Sequence, residues 1–138
     1  MSLDLSSLNN AINQLRSSLD YAASPMARED AKLFQQFRNS AIQCFEFSFE
    51  LSIKLLRRQL EQFESAAVID RLPYRDLIRV GFERGLIDEP VVWFHFRDQR
   101  NATAHTYDES KAAAVFLALP AFLHSAEQLY QQLRALNA

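Results

Sequence analysis

Apolar residues recur at helical spacing along almost the whole chain. Leu5, Leu8, Ile12, Leu15, Leu19 and Ala22 lie three or four apart, which puts them on one face of an amphipathic helix. Ser24-Pro25 ends that helix, because the residue before a proline avoids the α region. A second stripe includes Leu33, Phe34, Phe37, Ala41, Cys44, Phe45, Phe49, Leu55, Leu56, Leu60 and Phe63. It predicts a helix from about Ala27 to about Ser65, roughly 55 Å long at 1.5 Å per residue. Such a helix either bends or forms the spine of the domain. Phe47 falls off the stripe, so a second face there is expected to be covered by a second chain.

Pro73 is placed to open a third helix at its first position, and Gly85 to end it as the glycine just past the helix. Asp88-Glu89-Pro90 reads as an N-cap followed by acidic and proline residues in the first turn. The fourth helix then carries Val91, Val92, Trp93, Phe94 and Phe96 and ends near Ala104 to Thr106. Asp108 is the expected N-cap of a last helix reaching about Leu136, with Glu109 favourable at its positive end. Pro120 inside that helix removes a backbone donor and predicts a kink. No two-residue alternation persists. The pattern predicts an all-α antiparallel four-helix bundle with an additional short helix, in one domain over residues 1–138.

Composition supports that reading and narrows the function. Only 2 Gly and 4 Pro in 138 residues are too few for an all-β protein rich in tight turns. A net charge of -2 excludes a generally basic nucleic-acid coat protein, but not a local basic site. Cys44 is the single cysteine and cannot form an intrachain disulfide. It is expected to be a buried, inert thiol in a reducing compartment. Met1-Ser2-Leu3-Asp4 lacks a basic region followed by an apolar run, so no signal peptide is expected. The longest apolar stretch, Ala112 to Phe122, is too short for a membrane span and contains Pro120. A cytoplasmic location without membrane contact is expected.

The chemistry is concentrated in Arg100-Asn101-Ala102-Thr103-Ala104-His105-Thr106-Tyr107. Arginine offers a planar fork of donors matched to phosphate oxygens and can stabilise charge building on a phosphoryl group. An imidazole takes or gives a proton near neutral pH. Asn101 could orient the imidazole or donate to phosphate, and Arg97 shares a helix face with Asn101. Together these groups suit metal-independent RNA cleavage, with His105 activating a 2′-hydroxyl and Arg100 holding the phosphate. On a regular helix Arg100 and His105 lie about 140° apart around the axis. Either the helix unwinds after Ala104, or the site draws its groups from two chains about a two-fold axis.

Other polar residues have blander readings. Asp98 suits a surface ion pair with Arg97 or Arg100. His95, among Trp93, Phe94 and Phe96, suits a core or interface imidazole. His124 is isolated apart from Glu127, and no metal site is expected, since zinc needs three or four convergent ligands. Arg71, Arg75 and Arg79 recur every four residues, either as a phosphate track or as a solvated or partner-facing stripe.

The segment Arg100 to Tyr107 resembles the Arg-x4-His-x-Tyr motif of the HEPN superfamily. More narrowly, the chain resembles the nucleotidyltransferase substrate-binding proteins, also viewed as HepT-like toxins. Ala41 to Leu51, Gly85-Leu86-Ile87-Asp88, Trp93 and His105 to Glu109 carry the likeness further, over about Leu5 to Leu136. The resemblance implies a HEPN helical bundle and a homodimer with a cleft at its axis. Arg100 and His105 would be the RNase residues, and no cofactor is implied. The implied partner is a minimal nucleotidyltransferase antitoxin that transfers AMP to Tyr107. The rival implication is a non-catalytic accessory subunit that binds a nucleotide or substrate for such a nucleotidyltransferase.

Overall fold

The structure, a computed structural model, describes residues 2–138. Helix α1 spans Ser6–Ala22 and turns Leu8, Ala11, Ile12, Leu15 and Ala22 inward. Ser24 does not merely end it. Its hydroxyl accepts from the Ala27 amide and caps a one-turn helix α2, Pro25–Glu29, with Pro25 in the first position. Proline is tolerated there because its missing donor would have no helical partner anyway.

The predicted second helix is broken near its start. Asp30 leaves the helical conformation (φ -137°, ψ 103°), and its carboxylate accepts from the Lys32 and Leu33 amides. It thereby caps α3, Ala31–Glu61, which is about 46 Å long. The apolar stripe begins only at Leu33, past this break, so the period did not mark it. Phe63 lies past the end of α3, exposed, with the Arg84 guanidinium 5.3 Å above its ring. A further short helix, α4, Ala66–Asp70, buries only Ile69 and carried no periodic signal.

Helix α5, Tyr74–Glu83, starts one residue after Pro73, which serves as its cap. Gly85 (φ 77°) follows and lets the Leu86 and Ile87 amides both reach the Gly81 carbonyl. Helix α6, Pro90–Ala102, is capped by Glu89 without a side-chain bond, not by Asp88. Helix α7, Glu109–Leu136, is capped by Asp108, whose carboxylate accepts from the Ser110 and Lys111 amides. It runs through Pro120, which lies on its exposed side, where water can replace the lost donor.

Helix α3 packs against each of the other six helices and is the spine the sequence predicted. The core centres on Phe122 of α7, completely buried, with Phe45, Phe96 and Trp93 set edge-on around it at 4.8, 5.2 and 5.9 Å. Helix α7 is long and apolar enough to cross a membrane by length and composition, contrary to the sequence expectation. Its stripe of Ala112, Val115, Leu119, Phe122, Ala126, Leu129 and Leu133 is buried in the core, as in the core helix of a bundle. The fold is all-α among the described residues.

Candidate active site

The polar motif occupies the end of α6 and the turn into α7. After Ala102 the backbone tightens into a 3-10 turn, Thr103–His105, so the helix unwinds two residues earlier than expected. Thr103 organises this turn. Its buried hydroxyl donates to the Arg100 carbonyl at 2.7 Å and accepts from Arg100 Nη1 at 2.9 Å. The Thr106 hydroxyl donates to the Thr103 carbonyl (3.2 Å), and the Asp108 amide donates to the His105 carbonyl (3.0 Å).

Arg100 is turned toward α3. Its Nη2 lies 2.5 Å from Glu50 Oε1 and its Nη1 3.7 Å from Glu46 Oε2. Its Nε is buried without a hydrogen-bond partner, and the side chain is 29% exposed. The guanidinium is thus fixed in direction, and a phosphate reaching it must compete with two carboxylates. His105 and Tyr107 are exposed instead, with ring centroids 6.0 Å apart and planes at 76°. Tyr107 is 86% exposed, so its ring stands in solvent. Among the described residues no hydrogen bond joins Arg100 to His105. Unwinding therefore does not pair the two groups within one chain.

Asn101 and Arg97 line a groove of about 640 Å³ between α3, α5 and α6, which Arg100 also borders. The Arg97 guanidinium lies 4.9 Å from the centre of the Tyr74 ring, and the Tyr74 hydroxyl donates to the Trp93 carbonyl at 2.7 Å. Burial, the main cause, pushes the Tyr74 pKa well up, so the phenol stays a donor. Asp98 makes no ion pair among the described residues, and His95 is exposed on α6 rather than held in the core. Arg71 ends α4, while Arg75 and Arg79 belong to α5 and approach the Phe94 ring at 4.5 and 5.8 Å. The three arginines therefore do not share one helix. Cys44 is free and buried. Among the described residues, no three His, Cys, Asp or Glu are grouped to hold a metal ion.

Sequence reasoning missed the groups that support the motif. Glu46 and Glu50 are four apart on α3, a spacing that also describes an ordinary solvated face. Only packing brings them to Arg100. Arg38 is buried at 6% exposure and forms a forked pair with Glu109 (Nη1–Oε1 2.6 Å, Nη2–Oε2 2.9 Å). This pair ties α3 to the first turn of α7, directly after the motif. The hydrogen bond from Arg38 holds the Glu109 carboxyl below the usual carboxylate range, and the same bond raises Arg38.

An all-α bundle with an Arg-x4-His-x-Tyr segment at the end of a core helix defines a class, and comparison with known proteins names it. Residues 3–135 match the family described as nucleotidyltransferase substrate binding protein like. A Haemophilus influenzae protein named probable ribonuclease HepT is 42% identical over 98 residues, covering 70% of this chain and 67% of that protein. A solved structure from H. influenzae is described as revealing the fold of a substrate binding domain of a nucleotidyltransferase. It aligns with a TM-score of 0.87 at 32% identity, over 95% of this chain and 99% of that one. A crystal structure from Thermus thermophilus aligns with a TM-score of 0.66 at 29% identity, over 90% and 98% of the two chains. The chain belongs to the HEPN superfamily, in its nucleotidyltransferase substrate-binding, HepT-like group.

Proposed function

We propose that this protein is a metal-independent endoribonuclease, the toxin of a pair whose antitoxin is a minimal nucleotidyltransferase. The observation that carries the reading is the split of the motif. Arg100 is held rigidly at the edge of a groove, while His105 and Tyr107 stand exposed beyond the 3-10 turn. A homodimer whose axis passes beside the motif sets Arg100 of one chain against the exposed imidazole of the other. The similarity to a protein named probable ribonuclease HepT supports the same chemistry.

In this mechanism His105 removes the proton from a ribose 2′-hydroxyl. The 2′-oxygen attacks the adjacent phosphorus, and Arg100 stabilises the charge that builds on the phosphoryl oxygens. The bond from phosphorus to the 5′-oxygen breaks, and that oxygen takes up a proton. The products are a 2′,3′-cyclic phosphate and a 5′-hydroxyl, with no redox change and no metal required. Asn101 and Arg97 hold flanking phosphate. Transfer of AMP onto Tyr107 by the partner places bulk and negative charge beside His105, and so blocks RNA by occlusion and repulsion. The setting is the cytoplasm, where RNA and a reduced Cys44 coexist.

The test is incubation of the purified protein with RNA in excess EDTA, beside His105→Ala, with Tyr107 confirmed bare by mass spectrometry. Cleavage to cyclic-phosphate ends by the first protein alone is expected. No cleavage by the bare protein would overturn the reading in favour of a non-catalytic, nucleotide- or substrate-binding accessory subunit.

A further inference from the structure

The groove beside Arg100 carries two cations, Lys54 and Arg58, that the cleavage mechanism does not use. Lys54 and Arg58, one turn apart on α3, line it opposite Arg97 and Asn101 of α6. Lys54, Arg58 and Arg97 are all exposed, and among the described residues none is in an ion pair. The two carboxylates on its walls are engaged. Glu50 accepts from Arg100, and Glu61 shares a hydrogen bond with Asp70. A fourth cation, Arg57, donates to the Ile69 carbonyl (2.8 Å) and fixes α4 against α3, so it belongs to the wall. The groove thus carries more cations than carboxylates on a protein whose net charge is -2. Its volume of about 640 Å³ falls within the range of small-ligand clefts, roughly 300–1,000 Å³. That admits one strand rather than a duplex.

We propose that this groove is the strand-binding subsite: Lys54, Arg58 and Arg97 take backbone phosphates of single-stranded RNA, leading the chain to the phosphate held at Arg100. The recess favours RNA over an acidic protein surface, because a single strand can sink its phosphates into a cleft. Recognition is by charge and is tolerant of sequence, since Lys54 and Arg58 point flexible cations rather than a fixed donor–acceptor pattern at the ligand. Arg97, stacked on Tyr74, adds a planar guanidinium. The inference rests on the RNA-cleaving reading, and the test measures binding apart from cleavage so that each can fail alone.

A fluorescent oligoribonucleotide of mixed sequence is titrated with the full chain carrying His105→Ala, by anisotropy over a series of KCl concentrations. The same is done with Lys54→Ala and Arg58→Ala added. Removing two phosphate contacts should weaken binding on the order of tenfold and lower the slope of log K against log salt by about 1.4, at about 0.7 per contact for a single strand. Arg28→Ala with Lys32→Ala, an equal charge change on exposed residues of α2 and the first turn of α3, should leave both values near those of the parent. Both substituted pairs are exposed, and matching thermal midpoints confirm the fold. An unchanged slope in the groove variant overturns the proposal, as does an equal loss in the control variant. Unchanged RNA binding with lost binding of a poly-glutamate peptide would reassign the groove to an acidic protein partner.

Discussion

Arg100 carries two demands that pull against each other. In the proposed mechanism it presents a fork of donors to phosphate, yet it lies between Glu46 and Glu50 and bonds to Thr103. The carboxylates fix its direction at the cost of competing for its charge. Glu50→Gln keeps the shape and removes the strongest competitor. It should lower kcat about tenfold through loss of the charge-assisted bond that orients the guanidinium, while KM stays level or falls. Single-turnover and steady-state RNA cleavage separate these effects, and an unchanged kcat would remove Glu50 from its positioning role. At this scale the sequence was a partial guide. The motif residues could be read because their types are rare together within eight positions. Glu46 and Glu50 could not, since a pair of acids four apart on a long helix has no visible partner until the helices pack.

At the scale of elements, the turn between α6 and α7 is braced from both sides. Asp108 caps α7, and Glu109 forks onto buried Arg38 of α3. The Glu109 carboxyl is depressed by that hydrogen bond. Its contribution to stability is therefore present above the unfolded carboxylate value and lost as pH falls through the lower folded value. Glu109→Gln should lower the thermal midpoint at neutral pH, and the gap from the parent should close as the pH approaches and passes below the usual carboxylate range. Thermal melts across pH check both points. Gly81 tests the α5–α6 corner. A Cβ there would lie 2.9 Å from Ile87 Cγ1 and 3.2 Å from Leu56 Cδ1, both on buried side chains. Gly81→Ala should destabilise by about 1–3 kcal/mol through overpacking, measured by urea unfolding. The existence of α1 and α3 was legible from apolar period, and Gly85 and Asp108 behaved as their types predict. The break at Asp30 was not legible, because the apolar stripe begins only at Leu33, on the far side of the cap. Helix α4 was not either, since five residues with one buried side chain have no period.

At the scale of the whole molecule, one surface brings together two features that a single chain leaves unfinished. Phe47 is 52% exposed on the same helix that presents Glu46 and Glu50 to Arg100. Glu46, Phe47 and Thr106 together line a shallow recess beside the motif. A single chain thus leaves an aromatic ring uncovered next to an arginine and an imidazole that do not meet. The sequence announced this twice, through Phe47 off the stripe and through the roughly 140° between Arg100 and His105. The structure sharpens the second signal, because the helix does unwind and the two groups still do not pair. In the proposed reading a second copy of the chain would answer both observations at once, and the two-chain site is that reading's central claim.

Its most direct measurement uses mixed dimers. Differently tagged Arg100→Ala and His105→Ala chains are co-expressed, the mixed species is isolated through both tags, and RNA cleavage is followed in excess EDTA. Each homodimer should be inactive. The mixed dimer keeps one complete site, Arg100 from one chain and His105 from the other, and should recover about half the parent activity, as two-fold symmetry requires. A mixed dimer as inactive as its parents, while the unsubstituted dimer cleaves, would contradict the account and return both residues to a single chain.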